Sequence, residues 1–131
     1  MILSKEDVIE KALTNKILKA LNALRGVLAY KRMAVYNEVG KPDITGVVSG
    51  IRLEIEVKRP SLMPSQPKTL RGLETKQIME LFRRNLRLAS KIQQYHIRKF
   101  YDYGCLTGVA LSVEQAVYLV NNRLEEWVLL R

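Results

Sequence analysis

Among its 131 residues the chain has one cysteine, one histidine and one tryptophan. Cys105 therefore has no internal disulfide partner, and a metal cluster built on thiolates is excluded. A reducing compartment such as the cytoplasm is the expectation that follows. No apolar run is long enough to span a bilayer, and the first residues lack a signal-peptide pattern, so no membrane partner is expected. Internal repeats and low-complexity segments are absent as well. Acids are scarce: 13 Asp and Glu face 22 Lys and Arg, a formal charge of +9.

That surplus is local. Residues 58–99 hold 11 basic side chains against Glu74 and Glu80, a net +9, while the 11 basic and 11 acidic residues elsewhere cancel. A basic zone beside a neutral body is the footprint of a phosphate-backbone binder, and it favours a polyanion partner over a merely solvated helix face. The length suits a single domain over residues 1–131.

Hydrophobic spacing gives the elements. Ser4 and Asp7 form a capping box ahead of Val8, Ile9, Leu13, Ile17, Leu21 and Leu24, which recur at helical spacing until Gly26. Residues 27–32 are rich in strand formers, and 37–42 read as a loop. Two strand-like runs, Asp43–Val48 and Ile51–Lys58, flank Ser49-Gly50, a good two-residue hairpin connection. Pro60, Pro64 and Pro67 break the pattern up to about Gly72. A long helical stretch follows through Ala89 and either continues to Tyr103 or breaks near Ser90. Gly104 stops it. Residues 105–111 look like a buried strand, and Ser112 with Gln115 caps a short helix to about Val120. The tail, with Trp127, reads equally as helix or strand and as core or dimer contact. The order is α-β-β-β-α-β-α, an α/β fold with a mixed sheet flanked by helices.

The hairpin brings chemistry together. If Val48 pairs with Ile51, Asp43 lies opposite Glu56, and opposed side chains share a face about 4.5–5.5 Å apart. Strand alternation adds Lys58 and Glu54 to that face, while Leu53, Ile55 and Val57 point to the core. Two opposed carboxylates repel, and a divalent cation between them removes the cost. Mg²⁺ suits such a pair, because it accepts one or two carboxylates and completes its shell with water and phosphate oxygens. A lysine beside it can neutralise developing charge on a phosphate. On the first helix, Glu10 falls within the stripe of Leu13, Ile17, Leu21 and Leu24, where a carboxylate needs a partner or a metal. Glu6 shares the stripe but is explained by the helix dipole. His96 and Cys105 read as packing residues. Tyr95, Tyr101 and Tyr103 have the spacing of core or interface aromatics.

Gly40-Lys41-Pro42-Asp43-Ile44-Thr45-Gly46, Gly50 and Glu56-Val57-Lys58-Arg59-Pro60 resemble the PD-(D/E)XK nuclease superfamily. More narrowly, they resemble its virus-type replication-repair nuclease (VRR-NUC) domain. Residues 104–110 and 112–114 are similar to that family's closing strand and helix, so the resemblance covers about residues 4–120. It implies a restriction-endonuclease-like core and hydrolysis of DNA phosphodiesters with Mg²⁺ or Mn²⁺. It also implies structure-specific action like that of Holliday junction resolvases, a homodimer, and the interior of a viral or prokaryotic host cell. Asp43 and Glu56 match the metal-binding acids, with Glu10 and the Val57 backbone carbonyl as further ligands. Lys58 matches the catalytic lysine. A glutamine on the helix after the hairpin completes the pattern. Gln93 fits best by helical phase, with Gln94 and Gln66 as competitors. The stretch at about 61–90 is longer than in compact members and reads as a basic insertion. Arg59, Arg71, Lys76, Arg83, Arg84, Arg87 and Lys91 are the expected DNA contacts. A non-catalytic nucleic-acid-binding module and a dimeric interaction protein are the alternatives.

Overall fold

The computed structural model describes residues 4–33 and 39–122. It contains α1 (Lys5–Asn22), β1 (Val27–Lys31), β2 (Ile44–Val48), β3 (Ile51–Val57), a 3-10 turn (Pro60–Leu62), α2 (Thr75–Arg87), α3 (Lys91–Asp102), β4 (Leu106–Ala110) and α4 (Val113–Asn122). The expected α/β class with a mixed sheet is what forms. The order differs at one place: the helix expected between the third and fourth strands is two helices. Ser90 is the cause. Its hydroxyl accepts from the Gln93 N–H and its backbone N–H is held by the Gln93 side chain, a capping box that starts α3 afresh. The tail with Trp127 lies outside the described residues.

The four strands lie in the order β1-β2-β3-β4. The first three run antiparallel, and β4 joins parallel to β3. Ser49 (φ +47°) and Gly50 (φ +83°) make the hairpin turn, with both residues in the left-handed region that a type I′ turn requires. Val48 pairs with Ile51 and Ile44 with Ile55, the register expected from the two-residue loop.

Helices cover both faces. Leu53, Ile55 and Val57 of β3 are fully buried with Ile17 and Leu21 of α1 and Ala116 and Leu119 of α4. The opposite face packs Val109 and Leu111 against Leu86 and Ala89 at the end of α2 and Ile97 of α3. Among the described residues, that second layer reaches only the β3–β4 side. Leu28, Tyr30 and Val47, on the same face of β1 and β2, remain exposed.

The loop before α2 is fastened by polar contacts. Gln66 Nε2 donates to Asn85 Oδ1 (2.7 Å), Asn85 Nδ2 to Gln115 Oε1 (2.9 Å), and Gln115 Nε2 to Gln66 Oε1 (2.6 Å), a closed ring of amides. Asn85 also donates to the Val109 carbonyl, and Gln115 accepts from the Leu111 N–H. Asn85 stands among Ile78, Phe82 and Ala89 in the apolar stripe of α2, and that misplaced amide was a readable signal of a buried network.

Gly46 marks the tightest strand contact. A Cβ there would lie 2.0 Å from the Leu28 carbonyl oxygen and 2.8 Å from the Ala29 Cα. Both are backbone atoms and cannot swing aside. Gly46→Ala is expected to cost about 1–3 kcal/mol by forcing β1 away from β2, measured by urea denaturation.

Candidate active site

The hairpin ladder ends at a proline, and the site begins there. Continuing the register past Ile44–Ile55 sets Asp43 opposite Glu56 and Pro42 opposite Val57. Pro42 has no N–H to give the Val57 carbonyl, and its own carbonyl accepts from Arg32 Nε (2.8 Å). The Val57 N–H turns instead to the carboxylate of Asp43, at Oδ2 (3.0 Å). In return the Asp43 N–H donates to Glu56 Oε1 (3.2 Å). Each carboxylate thus accepts from a backbone N–H of the opposite strand segment at the end of the sheet.

Glu56 is 2% exposed. Its Oε2 accepts from Gln93 Nε2 (2.8 Å) and lies 3.6 Å from Lys58 Nζ. Burial pushes its carboxyl up to about 9, the neighbouring Asp43 charge adds to the effect, and Lys58 opposes it. Glu10 is raised by burial, with Lys58 lowering and Asp43 raising it, so α1 does bring this acid within the field of the cluster. Its carboxylate is nevertheless paired with Arg59 (3.5 Å).

Gln93 is oriented by the cap that starts its helix. Its Oε1 accepts from the Ser90 N–H (2.8 Å), which leaves the NH₂ end to face Glu56. The Ser-x-x-Gln spacing at 90–93 was a legible cap. Gln94 instead donates to the Ala89 carbonyl, and Gln66 belongs to the amide ring. Gly40 lets the loop before Asp43 lie on the same helix: a Cβ there would meet Ile92 Cγ1 at 2.8 Å and His96 Cδ2 at 3.3 Å. His96 and Ile92 therefore seat the loop that carries Asp43.

Glu54 shares the face of Glu56 but belongs to a different cluster. It is fully buried and accepts from Arg32, from the Thr45 hydroxyl and from Arg52 Nε (3.0 Å). Both guanidinium groups also lie by the Phe100 ring, Arg52 at 4.8 Å and Arg32 at 5.8 Å from its centroid. The sequence alone does not single out Arg32. Its position two residues beyond Tyr30 on the face of the acids was the available signal.

The expected basic contacts divide. Arg71, Lys76, Arg87 and Lys91 are exposed. Arg83 and Arg84 pair with Glu80, and Arg59 with Glu10. Arg87 and Lys91 flank the α2–α3 junction near Gln93. Lys76 lies at the other end of α2, roughly 20 Å away by helix length. It lines a cleft of about 480 Å³ with Met63, Leu73 and Leu81, separate from the carboxylates.

Among the described residues no group of three His, Cys, Asp or Glu side chains gathers as a metal cluster. The donor set is smaller but suits a hard cation: two adjacent carboxylates and a carbonyl that faces a proline. Among the described residues, no helix is long and apolar enough to cross a membrane. No family model, curated protein or solved structure matches the chain.

Two outcomes follow from the buried acids. Between pH 4.5, the ordinary glutamate value, and about 9, the folded chain holds a Glu56 proton that the unfolded chain has released. Stability of the metal-free protein should therefore fall as pH rises through that window. Glu56→Gln should remove most of this slope and melt roughly 3–5 °C above the parent at pH 8, with the gap closing at pH 5. Arg32→Met, which takes one cation from the buried Glu54, should cost about 3–5 kcal/mol by chemical denaturation.

Proposed function

We propose that the chain is a metal-dependent nuclease of the PD-(D/E)XK type, with a restriction-endonuclease-like core and a VRR-NUC-like motif. The observation that carries this reading is the pair Asp43 and Glu56, with Lys58 and Gln93 on the Glu56 carboxylate. A buried glutamate that retains a proton at neutral pH beside a second acid is an expensive arrangement for a purely structural role. A divalent cation, Mg²⁺ or Mn²⁺, taking the place of that proton accounts for it.

Asp43, Glu56 and the Val57 carbonyl would hold the cation. It would supply charge neutralisation at a phosphate and a lowered pKa for water. The chain's own groups do the rest. The Gln93 amide fixes the Glu56 rotamer, so the acid pair keeps its geometry without a ligand. Lys58, on a side chain 16% exposed, presents a cation beside the pair, where it can meet a phosphate oxygen and stabilise its developing charge. Glu10, held by Arg59, stands ready at the margin as a further acid. Arg87 and Lys91 supply positive charge for a backbone arriving from the α2–α3 junction. DNA is the proposed substrate, and branched or junction DNA and a dimer enter through the resemblance.

Incubation with labelled junction, flap and single-stranded DNA tests the reading. Cleavage is expected with Mg²⁺ or Mn²⁺ and not with EDTA. Asp43→Ala and Lys58→Ala should each lower the rate by at least about 10²-fold. Mn²⁺ should raise the melting temperature of the parent and not that of Asp43→Ala. Salt-sensitive binding with no metal-dependent cleavage would replace hydrolysis by a binding-only role.

A further inference from the structure

Among the described residues, the sheet face that carries the carboxylates is covered on one side only. Strand register arranges its side chains in rows. Asp43 and Glu56 form the first row. Tyr30, Thr45 and Glu54 form the next, and Leu28, Val47 and Arg52 the third. Successive rows are two residues apart, about 7 Å. α3 covers the β3–β4 half of each row and leaves the β1–β2 half open. Leu28 is 61%, Tyr30 55% and Val47 43% exposed.

This open half is apolar and aromatic, and cations border it. β1 and β2 contribute no acid to it. Arg52, 54% exposed on its side chain, closes the third row beside Phe100. Glu54 is buried under Arg32 and Arg52, so its charge is neutralised where it meets the face. On the neighbouring helix, Lys99 lies 5.8 Å from the Tyr95 ring, and both residues are exposed.

We propose that this open half-face is a platform for unpaired bases of a single strand whose backbone leads to Asp43 and Glu56, with Tyr30 as the stacking ring one row from the acids. The proposal rests on the nuclease reading for the destination of the strand, but not for the binding itself. An aromatic surface with flanking cations is the combination that holds single strands without sequence preference. A duplex buries its base faces in its own stack and has nothing to offer Tyr30. A second copy of the chain is the competing occupant, and the oligomeric state distinguishes the two. The platform thus defines the substrate class: nucleic acid with a single-stranded stretch at the point of cleavage, such as a flap, a gap or an opened branch.

Fluorescence anisotropy in EDTA tests it apart from any cleavage, with a labelled oligo-dT strand and a fully paired hairpin duplex. Tyr30→Ala should weaken oligo-dT binding by roughly 5- to 150-fold, the equivalent of the ~1–3 kcal/mol of one base–aromatic stack. Hairpin binding should change less than about 2-fold. Tyr30→Phe, which keeps the ring, should bind oligo-dT like the parent and shows that the fold is intact. Equal oligo-dT affinity in the parent and Tyr30→Ala overturns the proposal, as does equal weakening for strand and duplex. Sedimentation as a dimer that Val47→Glu dissociates also overturns it, by giving the face to a second copy. Cleavage with no Tyr30 effect sinks the platform alone. A Tyr30 effect with no metal-dependent cleavage sinks the nuclease reading alone.

Discussion

The position of Glu56 sets the terms for everything around it. Its carboxyl is buried, 3.6 Å from one cation, and beside a second acid whose own oxygen is committed to the Val57 N–H. Desolvation and like charge act in the same direction there, and Lys58 offsets only part of the effect. The group can exist in that setting as a neutral acid or as a ligand, but not comfortably as a bare anion. Gln93 is compatible with either form, because its NH₂ donates to an oxygen in both.

The geometry depends on a failure of ordinary pairing. An antiparallel ladder that continued one residue further would satisfy Val57 with backbone groups and leave the Asp43 carboxylate to solvent. Pro42 prevents this, since it has no N–H, and Arg32 occupies its carbonyl. The acid therefore serves as a substitute rung. Arg32 links this broken rung to the buried Glu54, so one side chain connects the end of the ladder to the interior of the face. The two clusters are distinct in their partners but share their scaffold.

The register could be read from the sequence because two-residue hairpin loops fix pairing and strand alternation fixes faces. That was enough to oppose Asp43 and Glu56 and to add Lys58. The first helix was equally legible through Ser4, whose hydroxyl accepts from the Asp7 N–H (3.1 Å). Helical phase alone favours Gln93 over Gln94, and that phase is what turns it to the sheet. The division at Ser90 was harder, since the apolar stripe of α2 runs on into α3 and only the cap interrupts it. Alternation puts Glu54 on the face of the acids but does not reveal its pairing with Arg32, because it assigns a face and not a partner. Asn85 and Gln115 form contacts between segments far apart in sequence, and periodicity does not report those.

The ring formed by Gln66, Asn85 and Gln115 has a topological effect. Each amide gives one hydrogen and accepts one within the ring, so the three must all point the same way around it. Reversing one reverses a donor into an acceptor at two junctions at once. The loop before α2, the last turn of α2 and the start of α4 therefore share one interlocked network, its direction set by the Val109 carbonyl and the Leu111 N–H. Opening the proline-rich segment that leaves β3 breaks hydrogen bonds at the α2–β4 interface as well, which ties a long surface loop to the core.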